Sequence, residues 1–148
     1  MEIERKFLIE ELPDNLDQYS YHIIEQAYLV TEPVIRVRRQ DDEYYMTYKS
    51  KGLMCREEYN LPLNKDAYET LKSKSEGNII SKKRVLIPFD KYTIELDIFD
   101  EPFAPLILAE VEFESEQEAL AFIPPEWFGE DVTNDGRYHN SNMSKAVL

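Results

Sequence analysis

Along most of this chain apolar and polar side chains trade places at every second position. That is the period of a half-buried β-strand, in which successive residues point to opposite faces. Eight segments carry the pattern: 1–9, 21–30, 34–39, 44–49, 54–61, 79–89, 92–99 and 107–113. Turn signals separate several of them, among them Thr31-Glu32-Pro33, Asp41-Asp42-Glu43, Ser50-Lys51-Gly52 and Asp90-Lys91. Pro62 is expected to end the fifth strand, because proline cannot donate to a ladder. Two stretches change period. Ala67, Tyr68 and Leu71 fit one face of a helix capped by Asn64 and stopped near Gly77. A second helix begins at Ser115 and runs through Phe122, with Glu118 completing a capping box and Pro124-Pro125 ending it. The expected class is α+β dominated by β, an eight-stranded antiparallel sheet long enough to close into a barrel, with a few flanking helices.

Length and composition narrow this picture. The 148 residues show no repeat, low-complexity tract or linker, so residues 1–148 are expected to form one domain. A hydrophobic fraction of 43% and an aromatic fraction of 12% suit a strand-rich globular protein. With 30 acidic against 17 basic residues the net charge is -13, which argues against nucleic-acid polymers and anionic membranes as partners. No apolar run reaches the roughly 20 residues that a membrane helix needs, and the chain opens on charges instead of a signal peptide. The lone Cys55 excludes an internal disulfide and a cysteine metal cage. A cytoplasmic monomer or homodimer is expected.

The polar positions of the strands are the unusual part, because they are mostly charges. Glu2, Glu4 and Lys6 share one face of the first strand, and Arg36 and Arg38 one face of the third. Lys49, then Arg56 with Glu58, then Lys82 with Arg84 follow, and the last two strands carry Glu95 with Asp97 and Glu110 with Glu112. An ordinary solvated sheet face accounts for any one strand. Taken together the charges are segregated: the third, fourth and sixth strands offer only cations here, and the last two only carboxylates. Two carboxylates about 7 Å apart repel by about 2 kcal/mol at an effective dielectric near 20, so Glu2 and Glu4 require a positive partner. A barrel with such a face turned inward needs a ligand to balance it, since unpaired buried charge costs several kcal/mol per group. Arginine forks and lysine point charges suit a polyphosphate, and carboxylate oxygens suit a hard divalent cation such as Mg²⁺ or Mn²⁺.

The ordered set resembles the CYTH superfamily, the triphosphate tunnel metalloenzymes. The matching residues are Glu2-x-Glu4-x-Lys6, Arg36-Val37-Arg38, Lys49, Arg56-x-Glu58, Lys82-x-Arg84, Glu95 to Phe99, Glu110-Val111-Glu112, and Val132-Thr133 through Tyr138-His139-Asn140. The resemblance spans nearly the whole chain and implies an eight-stranded tunnel that grips a triphosphate. It implies Lys6, Arg36, Arg38, Lys49, Arg56, Lys82 and Arg84 as the phosphate clamp. It implies Glu2, Glu4 and Glu112 as metal ligands, with Glu110, Asp97 and Glu58 tuning them or holding a second ion or its waters. Lys6, Lys82, Arg84, Glu58 and Asp97 are the expected catalytic groups.

The implied reaction is divalent-metal-dependent hydrolysis of a triphosphate, with inorganic tripolyphosphate preferred and nucleoside triphosphates accepted, by attack of water on a terminal phosphorus. Alternatives are an adenylyl cyclase or a thiamine triphosphatase of the same superfamily, or a polyphosphate-binding module without turnover. Of the remaining residues, Cys55 is expected as a small buried group of the outer layer. His22 and His139 are expected at the surface or in structural roles, and Arg137 with Tyr138 at the tunnel mouth. Trp127 with Phe128 is expected to form a hydrophobic plug.

Overall fold

The computed structural model describes residues 1–147. Nine strands form one antiparallel sheet: β1 (Glu2–Leu8), β2 (Tyr21–Thr31), β3 (Val34–Gln40), β4 (Glu43–Lys49), β5 (Cys55–Arg56), β6 (Glu58–Leu63), β7 (Ile80–Phe89), β8 (Tyr92–Phe99) and β9 (Ile107–Glu112). Their order is β5-β1-β9-β8-β7-β2-β3-β4-β6. The two outer strands of that order are consecutive in the chain, separated by Glu57 alone. The expected fifth strand is therefore one segment split in two, its first half paired with β1 and its second with β4, and the split closes the barrel. Eight expected strands become nine for this reason. At the break the backbone N–H of Glu57 donates to Ser50 Oγ at 2.9 Å, and its carbonyl accepts from Ser50 N at 3.0 Å, so the polar groups freed by the bend are satisfied.

Pro62 does not end this segment. It lies inside β6, opposite Tyr45, and β6 runs on to Leu63. The proline is tolerated because β6 has a hydrogen-bonded neighbour on one side only, β4.

Two helices cover the outside. Helix α1 (Lys65–Ser73) is capped by the Asn64 side chain, which accepts from Ala67 N at 2.7 Å. It packs Tyr68 and Leu71 onto Ala27, Val37 and Met46 of β2, β3 and β4. Helix α2 (Glu116–Ala121) is capped by Ser115 Oγ, which accepts from Glu118 N. The reciprocal bond of the expected capping box is displaced by one residue: Glu118 accepts from the N–H of Glu114, and its other oxygen takes Lys91. Behind α2 lies the main core, Ile3, Phe7, Val85, Ile94, Leu96, Val111, Phe113 and Phe122, with Trp127 and Phe128 packed against it. These residues alternate with the tunnel charges along β1, β7, β8 and β9. Along these four strands the wall is thus apolar on its outer side and carries the charges on its inner one. A short helix, α3 (Asn140–Met143), reached through a 3-10 turn at Gly136–Tyr138, lays Met143 on a third cluster with Tyr28, Val34, Ile80, Phe99 and Leu108. Among the described residues no helix is long and apolar enough to cross a membrane.

Candidate active site: a tunnel of opposed charges

The inward positions of all the strands converge on one cavity of about 320 Å³. Glu2, Glu4, Lys6, Arg36, Arg38, Lys49, Arg56, Glu58, Lys82, Arg84, Glu110 and Glu112 all line it. Asp97 does not. It is wholly buried in the wall, where it receives Arg84 Nε at 2.7 Å, Arg84 Nη2 at 2.9 Å and Lys82 Nζ at 2.8 Å. Glu95, one pleat along β8, does line the cavity and pairs with Arg84 Nη1 at 3.2 Å.

Strand register explains most of the balance. Four directly opposed pairs match cation to carboxylate: Glu2 with Arg56, Lys6 with Glu110, Lys49 with Glu58, and Arg84 with Asp97. All four close into ion pairs, at 3.6, 3.2, 3.3 and 2.7 Å respectively. Lys49 Nζ also reaches both oxygens of Glu2 at 3.1 Å. Opposite-charge pairs across a ladder stabilise a sheet and like-charge pairs destabilise it.

Two groups of residues escape this balance. On β1 and β9, Glu4 stands directly opposite Glu112, and neither makes an ion pair or a side-chain hydrogen bond among the described residues. Burial, then the charges of Glu110 and Glu2, push the Glu4 carboxyl up to about 8. Burial and Glu2 also raise Glu112, which stands at the exposed mouth. On β3, Arg36 and Arg38 have no carboxylate partner among the described residues. Arg36 Nη2 donates to Thr47 Oγ1 at 3.2 Å while its Nε is buried without an acceptor. Arg38 donates from Nε and Nη2 to Gln26 Oε1 at 2.9 and 2.6 Å. Burial and the adjacent Arg36 and Arg84 lower Arg38 to about 10. Arg56 Nε is a second buried donor left without an acceptor.

Glu58 differs from Glu4. Burial raises it too, but the hydrogen bond from Glu2 and the charges of Lys49 and Arg36 outweigh that and bring it to about 2. Glu110 lies well below its ordinary range because Lys6 and Arg84 outweigh its burial. Lys6 is correspondingly raised by Glu110 and Glu4 against its own burial, and donates to the carbonyl of Tyr138 at 3.0 Å.

The tail departs from expectation. Arg137 points away from the tunnel and pairs with Asp135 at 2.6 Å, and Tyr138 contributes only its carbonyl, to Lys6. The lining residues are instead His139, Asn140 and Ser141. His139 is buried and donates from Nε2 to the carbonyl of Thr133 at 2.9 Å. His22 lies at the surface against Asp41. Cys55 is half-buried on the outer face, donating to Glu116 at 2.9 Å. Gln26, Tyr28, Tyr45 and Asn60 also belong to or back the site. Alternation along β2 places Gln26 and Tyr28 on one face, but their lack of charge hides them among ordinary strand residues.

A nearly closed antiparallel barrel whose inner wall holds arginines and lysines beside carboxylates belongs to the charged-tunnel class of β-barrels. The particular family follows from comparison: the CYTH domain model matches residues 1–146, and the chain belongs to that family. It is 42% identical to an inorganic triphosphatase of Nitrosomonas europaea, over 99% of this chain and 98% of that one. It is 34% identical to an inorganic triphosphatase of Acetivibrio thermocellus, over 97% of this chain and 93% of that one. The crystal structure of an inorganic triphosphatase superposes with a TM-score of 0.75 at 39% identity, covering 99% of this chain and 96% of that one.

Proposed function

We propose that this protein is a divalent-metal-dependent triphosphatase that hydrolyses inorganic tripolyphosphate, and also nucleoside triphosphates, by directing water to a terminal phosphorus inside the tunnel. The observation that carries this reading is the pair of unbalanced groups in one cavity. Arg36 and Arg38 offer positive charge with no carboxylate to meet it, and Glu4 and Glu112 offer carboxyl oxygens with no cation to hold among the described residues. A single anion or a single cation would settle only one of them. A polyphosphate together with a divalent ion settles both, and the matched relatives, both named inorganic triphosphatases, support that choice.

The donor set fits such an ion. Glu2, Glu4, Glu110 and Glu112 supply carboxylate oxygens only, the preference of Mg²⁺ or Mn²⁺. When bound, the ion neutralises charge on the phosphate oxygens. Among the described residues no three of these acids converge as a ready-made cluster, and Glu2 and Glu110 are held by lysine and arginine. Loading therefore competes with those ion pairs, while Glu4 and Glu112 are free for it.

Arg36, Arg38, Arg56 and Arg84 present guanidinium edges to the phosphate oxygens, and Lys6, Lys49 and Lys82 add point charges. Lys6 and Lys82 each spend one proton on a carboxylate and one on a neutral oxygen, which leaves one for substrate. Buried orphan donors such as Arg36 Nε cost about 1–3 kcal/mol each until an acceptor arrives, so part of substrate binding is relief of that cost. Glu58, held ionised at the wall, orients the attacking water. Asp97 acts through Arg84 and Lys82, which it fixes from behind.

Purified protein incubated with tripolyphosphate or ATP and Mg²⁺ or Mn²⁺ should release orthophosphate. Cyclic AMP as the main product from ATP would replace this reading with a cyclase, and tight binding without product would replace it with a binding module.

A further inference from the structure

Gln26 is fully buried in the middle of β2, where an amide is costly unless every polar atom is bonded. Its bonds are all made. Oε1 accepts two N–H groups from Arg38, its in-register neighbour on β3. Nε2 donates to Asn140 Oδ1 at 2.7 Å and lies 3.3 Å from the Tyr28 hydroxyl. Asn140 Oδ1 accepts a second bond, from Lys82 Nζ at 2.9 Å. Neither amide can be turned over. A flipped Gln26 would set an NH₂ against the Arg38 guanidinium, and a flipped Asn140 would do the same to Lys82.

We propose that Gln26 and Asn140 are positioning residues, a neutral carboxamide relay that aims Arg38 and Lys82 at the substrate without adding negative charge beside them. The proposal rests on the triphosphate reading above. Its ground is a contrast within the tunnel. Lys6, Lys49, Arg56 and Arg84 are all held by carboxylates. Glutamate has the shape of Gln26 and could hold the Arg38 edge with a carboxylate, as Asp97 holds Arg84. At position 26 the chain instead carries an amide, which fixes the guanidinium plane and leaves its charge whole. Asn140 does likewise for the second neutral bond of Lys82, whose charge Asp97 already meets. The relay also gives the C-terminal segment a task. Asn140 lies 114 residues beyond Gln26, so α3 docks on the tunnel through the same bonds that orient the clamp.

The test introduces charge without changing shape. Steady-state hydrolysis of tripolyphosphate with Mg²⁺ is measured for the wild type, Gln26→Glu and Asn140→Asp, alongside melting temperature. Each substitution is expected to raise KM by about tenfold or more, the scale of one charge-assisted hydrogen bond, and to change kcat less than KM. A residue that merely supports the fold would lower active protein and melting temperature without separating KM from kcat. A folded variant with wild-type KM overturns the relay. Asn140→Asp, on α3 and not within a strand, keeps the question open to refutation where Gln26→Glu does not fold. Failure of the wild type to release phosphate overturns the triphosphatase reading itself, and is seen in the wild-type reaction alone.

Discussion

Glu4 and Glu112 face each other across the β1 and β9 ladder with no cation between them among the described residues. Directly opposed residues hold their Cβ atoms about 4.5–5.5 Å apart, where like charges are destabilising. When both are ionised the fold therefore carries a repulsive pair that a divalent ion would relieve.

The pH dependence of the metal-free protein should report Glu4, whose carboxyl is raised by burial and by the charges of Glu110 and Glu2. Glu4 is raised from 4.5 to about 8. A carboxyl whose folded pKa lies above its unfolded one favours folding at low pH, and that contribution is lost as pH rises through the folded value. In EDTA, wild type should lose melting temperature between about pH 5 and pH 9, and Glu4→Gln should lose less and melt higher than wild type at pH 9. Mg²⁺ should raise the wild-type melting temperature at pH 9 and leave the variant nearly unmoved. Equal stabilisation of both by the metal would take Glu4 out of the ion's site.

Asp97 should behave in the opposite sense. Burial raises its pKa, but Arg84 and Lys82 outweigh that and hold it below its ordinary 3.8. Its contribution to stability is present above about pH 4 and is lost as pH falls below that. Asp97→Asn leaves Arg84 and Lys82 short of their carboxylate, and losing one partner of a buried ion pair costs about 3–5 kcal/mol. Urea denaturation at pH 7 should show that loss, and the variant's acid limb should be flatter than the wild type's. Unchanged stability would mean that Glu95 and Glu110 hold Arg84 without it.

Arg38→Ala and Arg84→Ala should separate binding from stability. Arg38 has no carboxylate to strand, but its loss takes both donors from the buried Gln26 Oε1, so it should raise KM by about tenfold or more and lower melting temperature modestly, by less than the loss of Arg84. Arg84 leaves Asp97 buried and half-paired, so its loss should lower melting temperature as well as activity. Thermal melts beside kinetics decide the point, and an equal drop in stability for both would contradict it.

The outer core should be separable from the chemistry. Phe122 packs against Phe7, Phe89, Tyr92, Phe113 and Phe128 on the far side of the wall from the tunnel charges. Phe122→Ala should cost about 3–5 kcal/mol in denaturant titration and leave KM near wild type where the protein stays folded. A large KM change would show that the wall transmits core strain to the site.

Much of this was legible in the chain because the barrel is written in a period of two, and charge marks which phase of that period faces inward. The inward set from Glu2 to Glu112 falls on one wall for that reason. Asp97 has the right phase, yet Arg84 and Lys82 reach over it and seal it from the cavity, a matter of side-chain length that spacing does not encode. The break at Glu57 was hidden because its cause is distant: β1 and β4 each claim half of the segment, and Ser50 supplies the bonds that permit it. Pro62 misleads for a related reason, since its rule depends on whether a strand has one neighbour or two. Gln26 and Asn140 carry no charge, and only the folded chain shows that their oxygens aim two cations.

The most direct test of the central claim is hydrolysis of tripolyphosphate with Mg²⁺ in ¹⁸O-labelled water. Attack of water on a terminal phosphorus places the label in the released orthophosphate and leaves pyrophosphate unlabelled, and that is the expected result. Label in pyrophosphate, or no metal-dependent product at all, would contradict the account.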